Sequence, residues 1–315
     1  MTVFISHQSA LEYWRTHRAL PHSNTQQRCR VTLPQNPPTT EQTKLTGLSL
    51  PLHILLREPN NRWASKTMRQ HAFTGKTPEG CFMSTEEGLF VSSPEFCFLQ
   101  LSGQMTLHRL IELGYELCGS YSMPAPGDSN VPERGFHLRQ PLTSTKKLAV
   151  FAARMPGSSG HKKAMRALRY LLDGSASPME TKLSILLTLP YKLGGYGLIR
   201  PKLNSRINPS RIAILSSGKE YYVCDLFWPD HDLAVEYDSE LFHTGLTHIT
   251  ADSKKRNALT MMGVTIITVT KQQLYSSMEF DKVARALANR LRKRLVFKNP
   301  DFAVAQRELR KQLLY

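Results

Sequence analysis

The spacing of apolar and polar positions changes several times along this chain. Leu11 and Trp14 recur at helical spacing behind Ser9 and Glu12, a capping-box pair, and predict one helix within residues 1–20. Residues 21–46 are polar and rich in proline and threonine, and read as loop with at most one short strand. Short strands follow over residues 48–91, notably "LHILL" and "GLFVSS". In "SSPEFCFLQLS", Ser93 can cap a helix, Pro94 suits its first position and Glu95 favours its dipole. Further helices are expected in "TLHRLIELGYELCGSY", "STKKLAVFAARM" and "HKKAMRALRYLLDG", the last stopping at Gly174.

From about residue 176 the pattern shifts. "SPMETKLSILLTLP" reads as a helix and "YKLGGYGLIRPKLN" as a glycine-broken connection. Strands are expected near 211–216, 222–228 and 233–238, then a helix from about Ala251. "VTIITVT" predicts a β-branched buried strand, and the tail from about 279 is helical and basic. No internal repeat is visible. The expected organisation is an α+β N-terminal region over 1–165 and an α/β domain with a basic helical tail over 166–315.

The chain has 315 residues, enough for one large domain or two smaller ones. Its net charge is +16, which points to a polyanionic partner, nucleic acid first; a basic surface that merely keeps the protein soluble is the plain alternative. Between Lys254 and Lys311 there are 14 Lys and Arg against four acids. The five cysteines are scattered, with no C-x-x-C pair, which argues against a disulfide framework or zinc cluster and favours a reducing cytoplasm. The start lacks the apolar core of a signal peptide, and "LSLPLHILL" is too short to span a bilayer.

The candidate chemistry lies in "YVCDLFW" and "LAVEYDS", joined by the proline-led turn "PDHD". A four-residue loop would pair Trp228 with Leu233 and set Asp225 opposite Glu236. With strict alternation, Cys224, Leu226, Trp228, Leu233, Val235 and Tyr237 form one apolar face, and Asp225, Glu236 and Asp238 share the other. Carboxylates separated by about 5 Å across the pair and about 7 Å along the strand repel one another unless a cation intervenes. A hard ion such as Mg²⁺, or Mn²⁺ in its place, would resolve this; a solvent-facing acidic strand is the bland reading. His243 could serve as a general acid or base, or sit on a surface loop. Glu180 could reach the metal or simply complete a capping box with Ser177. Asp252 and Arg256 are spaced to pair along a helix. Lys254, Lys255 and Arg256, with Arg290, Arg292, Lys293 and Arg294 of "RLRKRLVFK", are candidate phosphate contacts.

Taken together, "CDLFWPDHDLAVEYDSELFH" and "DSKKRNALTMMGVTIITVT" resemble the very-short-patch-repair-like branch of the P-D-(D/E)-X-K nuclease superfamily over roughly residues 177–275. The resemblance implies a restriction-endonuclease-like mixed sheet flanked by helices, Mg²⁺-dependent DNA hydrolysis, and Asp225 and Glu236 as metal carboxylates. Asp238 stands where the superfamily has a lysine, and Ser239 where it has a glycine. In "FISHQSALEYW" and "GLFVSSPEFCFLQLS" the N-terminal half is distantly similar to the region preceding this domain in bacterial proteins related to AbiEi-type antitoxins, here without a complete winged helix-turn-helix. The expected protein is thus a bacterial, cytoplasmic DNA endonuclease. Its alternative is a catalytically inactive DNA-binding regulator of the antitoxin type, and an RNA substrate is also open.

Overall fold

The computed structural model describes residues 2–17, 28–29, 32–39, 46–58, 65–85, 89–208, 221–238, 246–296 and 301–315, with the backbone alone at 28–29 and 246–252. It is a mixed α/β protein that divides into two compact units, Met1–Leu171 and Leu172–Tyr315. The division falls later than residue 165 because the chain up to Leu171 packs within the first unit. Tyr170 accepts a hydrogen bond from the Tyr115 hydroxyl at 3.3 Å, and Leu171 lies against Gly114.

The first unit is built on a six-stranded sheet. Its strands are β1 (Val3–Ile5), β2 (Arg28–Cys29), β3 (Leu52–Leu56), β4 (Met68–Ala72), β5 (Phe82–Ser84) and β6 (Leu89–Ser92), in the order β2-β5-β6-β1-β3-β4. β1 runs parallel to β6 and antiparallel to β3, so the sheet is mixed. A short pair, β7 (Tyr121–Ser122) and β8 (His137–Leu138), stands apart.

Helix α1 (His7–His17) lies on the six-stranded sheet and buries Leu11 and Trp14, whose indole donates to the Ser92 carbonyl at 2.8 Å. Helix α2 (Pro94–Ser102) begins at Ser93, whose hydroxyl accepts from Phe96 N–H, and it is buried on all sides. Helices α3 (Leu107–Cys118), α4 (Thr145–Ala153) and α5 (His161–Leu168) complete the unit. α5 ends at Leu168, short of Gly174, because Tyr170 and Leu171 turn inward onto α3. Strand β1 had no signal beyond three apolar residues.

The second unit holds a four-stranded mixed sheet of order β12-β11-β10-β9. These are β9 (Lys202–Ile207), β10 (Tyr222–Trp228), β11 (Leu233–Asp238) and β12 (Thr265–Thr270). β9 and β10 are antiparallel, as are β10 and β11, while β11 and β12 are parallel. The hairpin pairs Trp228 with Leu233 across a 3₁₀ turn at Pro229–His231, with Asp232 left-handed at φ 43°. β9 begins inside the segment read as a connection and runs three residues past it; its polar residues carry no apolar alternation. The strand expected at 211–216 lies outside the described residues. β12 is half-buried, with Val269 alone closed off, because it is the outer strand among those described.

Helix α6 (Pro178–Thr188) precedes the sheet. Helix α7 (Leu246–Met261) crosses from β11 to β12 and starts before Ala251. After β12 come α8 (Lys271–Tyr275), α9 (Ser277–Arg290) and α10 (Asp301–Leu314). Tyr196 packs between Phe280 and Phe302, each ring centroid 5.8 Å away. Among the described residues no helix is long and apolar enough to cross a membrane. Cys81, Cys97, Cys118 and Cys224 are buried.

The first unit also buries a charge system. Glu116, 3% exposed, accepts two hydrogen bonds from Arg15 at 2.8 and 2.7 Å. Arg139 donates to the Glu116 and Tyr121 carbonyls at 2.7 and 2.8 Å, and burial lowers its pKa to about 10 despite the nearby Glu116. Removing an anion from such a pair leaves buried cations uncompensated. Glu116→Ala is therefore expected to destabilise the protein by about 3–5 kcal/mol. Urea unfolding checks this, and an unchanged midpoint would refute the role given to the pair.

Candidate active site

The hairpin β10–β11 carries the candidate acids, and a break in the sheet beside it decides how they meet. β9 and β10 pair at Cys224–Ser205 and again at Leu226–Leu203. Between them Asn204 takes a left-handed conformation, φ 44°. Regular strands alternate sides every residue. Here Cys224, Phe227 and Ala234 join one cluster with Ala258 and Leu259 of α7, so the alternation slips by one residue across Asp225. This corrects the expected faces: Cys224 sits on the α7 side, near Glu236, rather than on the opposite face.

Asp225 lies at the skipped position, and its carboxylate turns toward β11 on the other side of β10. Its Oδ2 accepts from the Tyr237 backbone N–H at 2.8 Å, standing in for a ladder bond. Glu180 approaches from the first turn of α6. Ser177 caps that helix by accepting from Glu180 N–H at 3.2 Å. The Glu180 carboxylate accepts from Ala176 N–H at 2.9 Å, one residue before the cap, and from the Asn204 side-chain amide at 2.6 Å. Asn204 also donates to the Gly174 carbonyl at 2.9 Å, so its strained conformation ties β9 to the start of α6. Thus Glu180 has a capping role and also lies within electrostatic reach of the hairpin acids.

Lys255 of α7 donates to Glu236 Oε1 at 2.9 Å. Both side chains are about a quarter exposed. Burial alone would lower the Lys255 pKa, but Glu236 holds the ammonium above its usual value. Lys255, a candidate phosphate contact, lies here on a carboxylate, because α7 lies over the same sheet face as Glu236.

The balance of charge is uneven. Burial, then Glu180 and Glu236, push the Asp225 pKa well above the ordinary carboxylate value. Burial raises Glu180 too, against its hydrogen bonds from Ala176 and Asn204. Burial also pushes up the Cys224 thiol, which suits an inert packing role better than a nucleophile's. Asp238 lies two residues beyond Glu236 on β11, opposite Thr270 of β12. His243 lies outside the described residues, as do the side chains of His248 and Asp252. Arg256 donates to Thr268 Oγ1 at 3.3 Å.

The other basic candidates are dispersed. Lys254 and Arg256 are exposed on α7, and Arg290, Arg292 and Arg294 are exposed at and beyond the end of α9. Lys293 donates to the Gly197 carbonyl. Lys282 and Arg285 pair with Glu279 and Asp281 on the α9 surface. Arg310 is buried, donating to the Leu274 carbonyl at 2.7 Å, so the tail offers less free charge than its composition suggests.

Among the described residues no group of three or more His, Cys, Asp or Glu side chains is arranged to hold a metal ion. Mg²⁺ usually takes one or two carboxylates plus waters, however, and the donors here are hard oxygens short of positive charge. In chemistry, then, the pair Asp225 and Glu236 fits such an ion. Comparison of the chain with protein-family models, curated proteins and solved structures found no match.

Carboxyls that bind protons more tightly folded than unfolded contribute stability that declines as pH rises above the ordinary carboxylate range near 4. Asp225→Asn keeps an oxygen for Tyr237 N–H and removes the charge. It is expected to raise the melting temperature at pH 8 by a few degrees, where about 1 kcal/mol corresponds to roughly 2–8 °C. At pH 4 the gain should vanish. Calorimetry at both pH values checks this; identical pH dependence in parent and variant would refute the charge crowding.

Proposed function

We propose that this protein is a metal-dependent endonuclease that hydrolyses DNA phosphodiester bonds at the Asp225–Glu236 site. The observation that carries the reading is the excess of carboxylate charge there. Glu180, Asp225 and Glu236 crowd one place, two of them are held above their ordinary proton affinity, and among the described residues the one hydrogen bond of Lys255 goes to Glu236. A divalent cation relieves that repulsion, and a phosphodiester brings the anionic oxygens that complete its shell.

In this reading Asp225 and Glu236 hold Mg²⁺ or Mn²⁺, with Glu180 behind them as an outer ligand. The ion, when bound, supplies a more acidic water and stabilises charge developing on the phosphate. Asp238 accepts a hydrogen bond from the attacking water and so orients it. Lys255 fixes Glu236 in direction and places a positive charge beside the reacting phosphate. Lys255 thus brings a lysine to the site from a helix, where Asp238 stands in place of the superfamily's strand lysine. His243 passes a proton to the leaving oxygen. Lys254, Arg256 and the arginines beyond α9 bind the DNA backbone.

Supercoiled plasmid with Mg²⁺ or Mn²⁺ tests the proposal. The parent is expected to nick it, and Glu236→Gln and Asp225→Asn to lose at least about a hundredfold in rate. Lys255→Met should lower the rate comparably while sparing DNA binding. Salt-sensitive binding with no cleavage by the parent would overturn the nuclease reading and favour a DNA-binding regulator.

A further inference from the structure

The N-terminal unit carries a second set of chemical groups, independent of the carboxylate site. Three cavities surround the segment Phe73–Lys76 and share residues with one another. The inner one is about 270 Å³, and its walls include His7, His71, Phe73, Phe96 and Gln100. The two outer ones, of about 450 and 420 Å³, carry Arg57, Lys76 and Arg154. These volumes approach or fall within the range of small-molecule sites, roughly 300–1,000 Å³. Among the described residues that line the three cavities there is no aspartate or glutamate.

The inner cavity is an aromatic slot with one unmet donor. The His7 and His71 rings stack with centroids 3.6 Å apart and planes 19° from parallel. Burial and the crowding of three imidazoles lower His7 to about 3 and His71 to about 4, so both are neutral at neutral pH and offer ring faces rather than charge. His71 Nε2 shares a hydrogen bond with His53 Nδ1 at 3.0 Å, and His7 Nδ1 one with Ser6 Oγ at 3.0 Å.

His7 is held in a left-handed conformation, φ 49°, and its N–H donates to Gln100 Oε1 at 3.0 Å. That bond fixes which end of the Gln100 amide is oxygen. Its Nε2 is therefore a donor, and it is buried with no acceptor among the described residues, in a residue only 9% exposed. Leaving such a donor unmet is unfavourable, and a ligand oxygen or ring nitrogen would relieve it.

A planar, acceptor-bearing ring suits the slot, and an anion suits the exposed Arg57, Lys76 and Arg154 at its mouth. Sites for single-stranded nucleic acid combine these two features, aromatic faces for bases and cations along the backbone. We propose that the N-terminal unit binds nucleotides, the base entering the His7–His71–Phe96 slot beside Gln100 and the phosphate meeting Arg57, Lys76 and Arg154. Cations on both sides of Phe73–Lys76 fit a strand carrying several phosphates; a free mononucleotide shares the chemistry.

The test uses the full chain in EDTA, so that cleavage cannot intervene. A short fluorescent oligonucleotide with one photo-crosslinking base is irradiated with the protein, and the crosslinked peptides are identified by mass spectrometry. Crosslinks are expected in His71–Lys76 or Phe96–Gln104. The triple variant Arg57→Gln, Lys76→Gln, Arg154→Gln changes exposed side chains only, and should weaken binding at least tenfold. Gln100→Glu keeps the acceptor for His7 N–H, replaces the donor, and should weaken oligonucleotide and dAMP alike. Competition by dAMP and not by inorganic phosphate would identify free nucleotide as a ligand; competition by longer oligomers alone would identify a strand. Crosslinks confined to Leu172–Tyr315, with affinity unchanged in the triple variant, would overturn the proposal.

Discussion

A carboxylate set into the interruption of a β-ladder governs the second unit. Asp225 sits where β9 and β10 skip a pair, and its Oδ2 replaces the missing backbone acceptor for Tyr237. A buried N–H must find a partner, and a side chain that supplies it gives up free rotation and solvent. The same break releases Asn204 into a left-handed conformation, and Asn204 then reaches both Gly174 and Glu180. One local irregularity thereby joins strand, hairpin and helix start, and it is what brings Glu180 toward acids coded some 45–56 residues later.

The consequence is electrostatic. Three acids gathered with partial desolvation cannot all ionise freely, so two of them hold protons more tightly than usual. Lys255 offsets part of this through Glu236. Perturbed carboxyls next to one fixed lysine are a pattern of functional sites, although structural ion networks also produce it. The buried Arg15–Glu116–Arg139 system of the first unit shows the contrast. There burial is outweighed for Glu116 by its cations, every partner is a hydrogen-bonding neighbour, and the groups have a structural role.

Strong local signals were legible in the residues. Ser93 and Ser177 cap helices through their hydroxyls, and both helices start at the proline that follows. The Trp228–Leu233 register followed from the turn length, because a hairpin loop dictates pairing. Other elements were hidden. β9 carries "KLNSRI", whose polar side chains serve a sheet margin and a helix cap rather than a core. The end of α5 depended on Leu171 finding space against Gly114, far away in sequence. Arg310 looked like surface charge and is buried, because its guanidinium is the donor that the Leu274 carbonyl at the end of α8 takes up.

The sequence by itself determined the periodicities, the caps at Ser93 and Ser177, the hairpin and the presence of acids at Asp225 and Glu236, since each depends on neighbours within a few residues; the Ser9–Glu12 capping box did not form, because α1 already starts at His7 and both side chains accept from distant backbone N–H groups. It also determined the excess of basic charge, which is a sum and needs no geometry. The tertiary structure alone decided which side Cys224 faces, that Glu180 approaches the hairpin, and that Lys255 binds Glu236 instead of solvent or phosphate. It alone stacked His7 on His71 and left the Gln100 amide without an acceptor among the described residues. Those outcomes turn on contacts between distant segments and on a one-residue slip in a strand. A strand's two-residue period predicts faces only while the ladder is unbroken, and the break at Asn204 depends on partners that no local window contains.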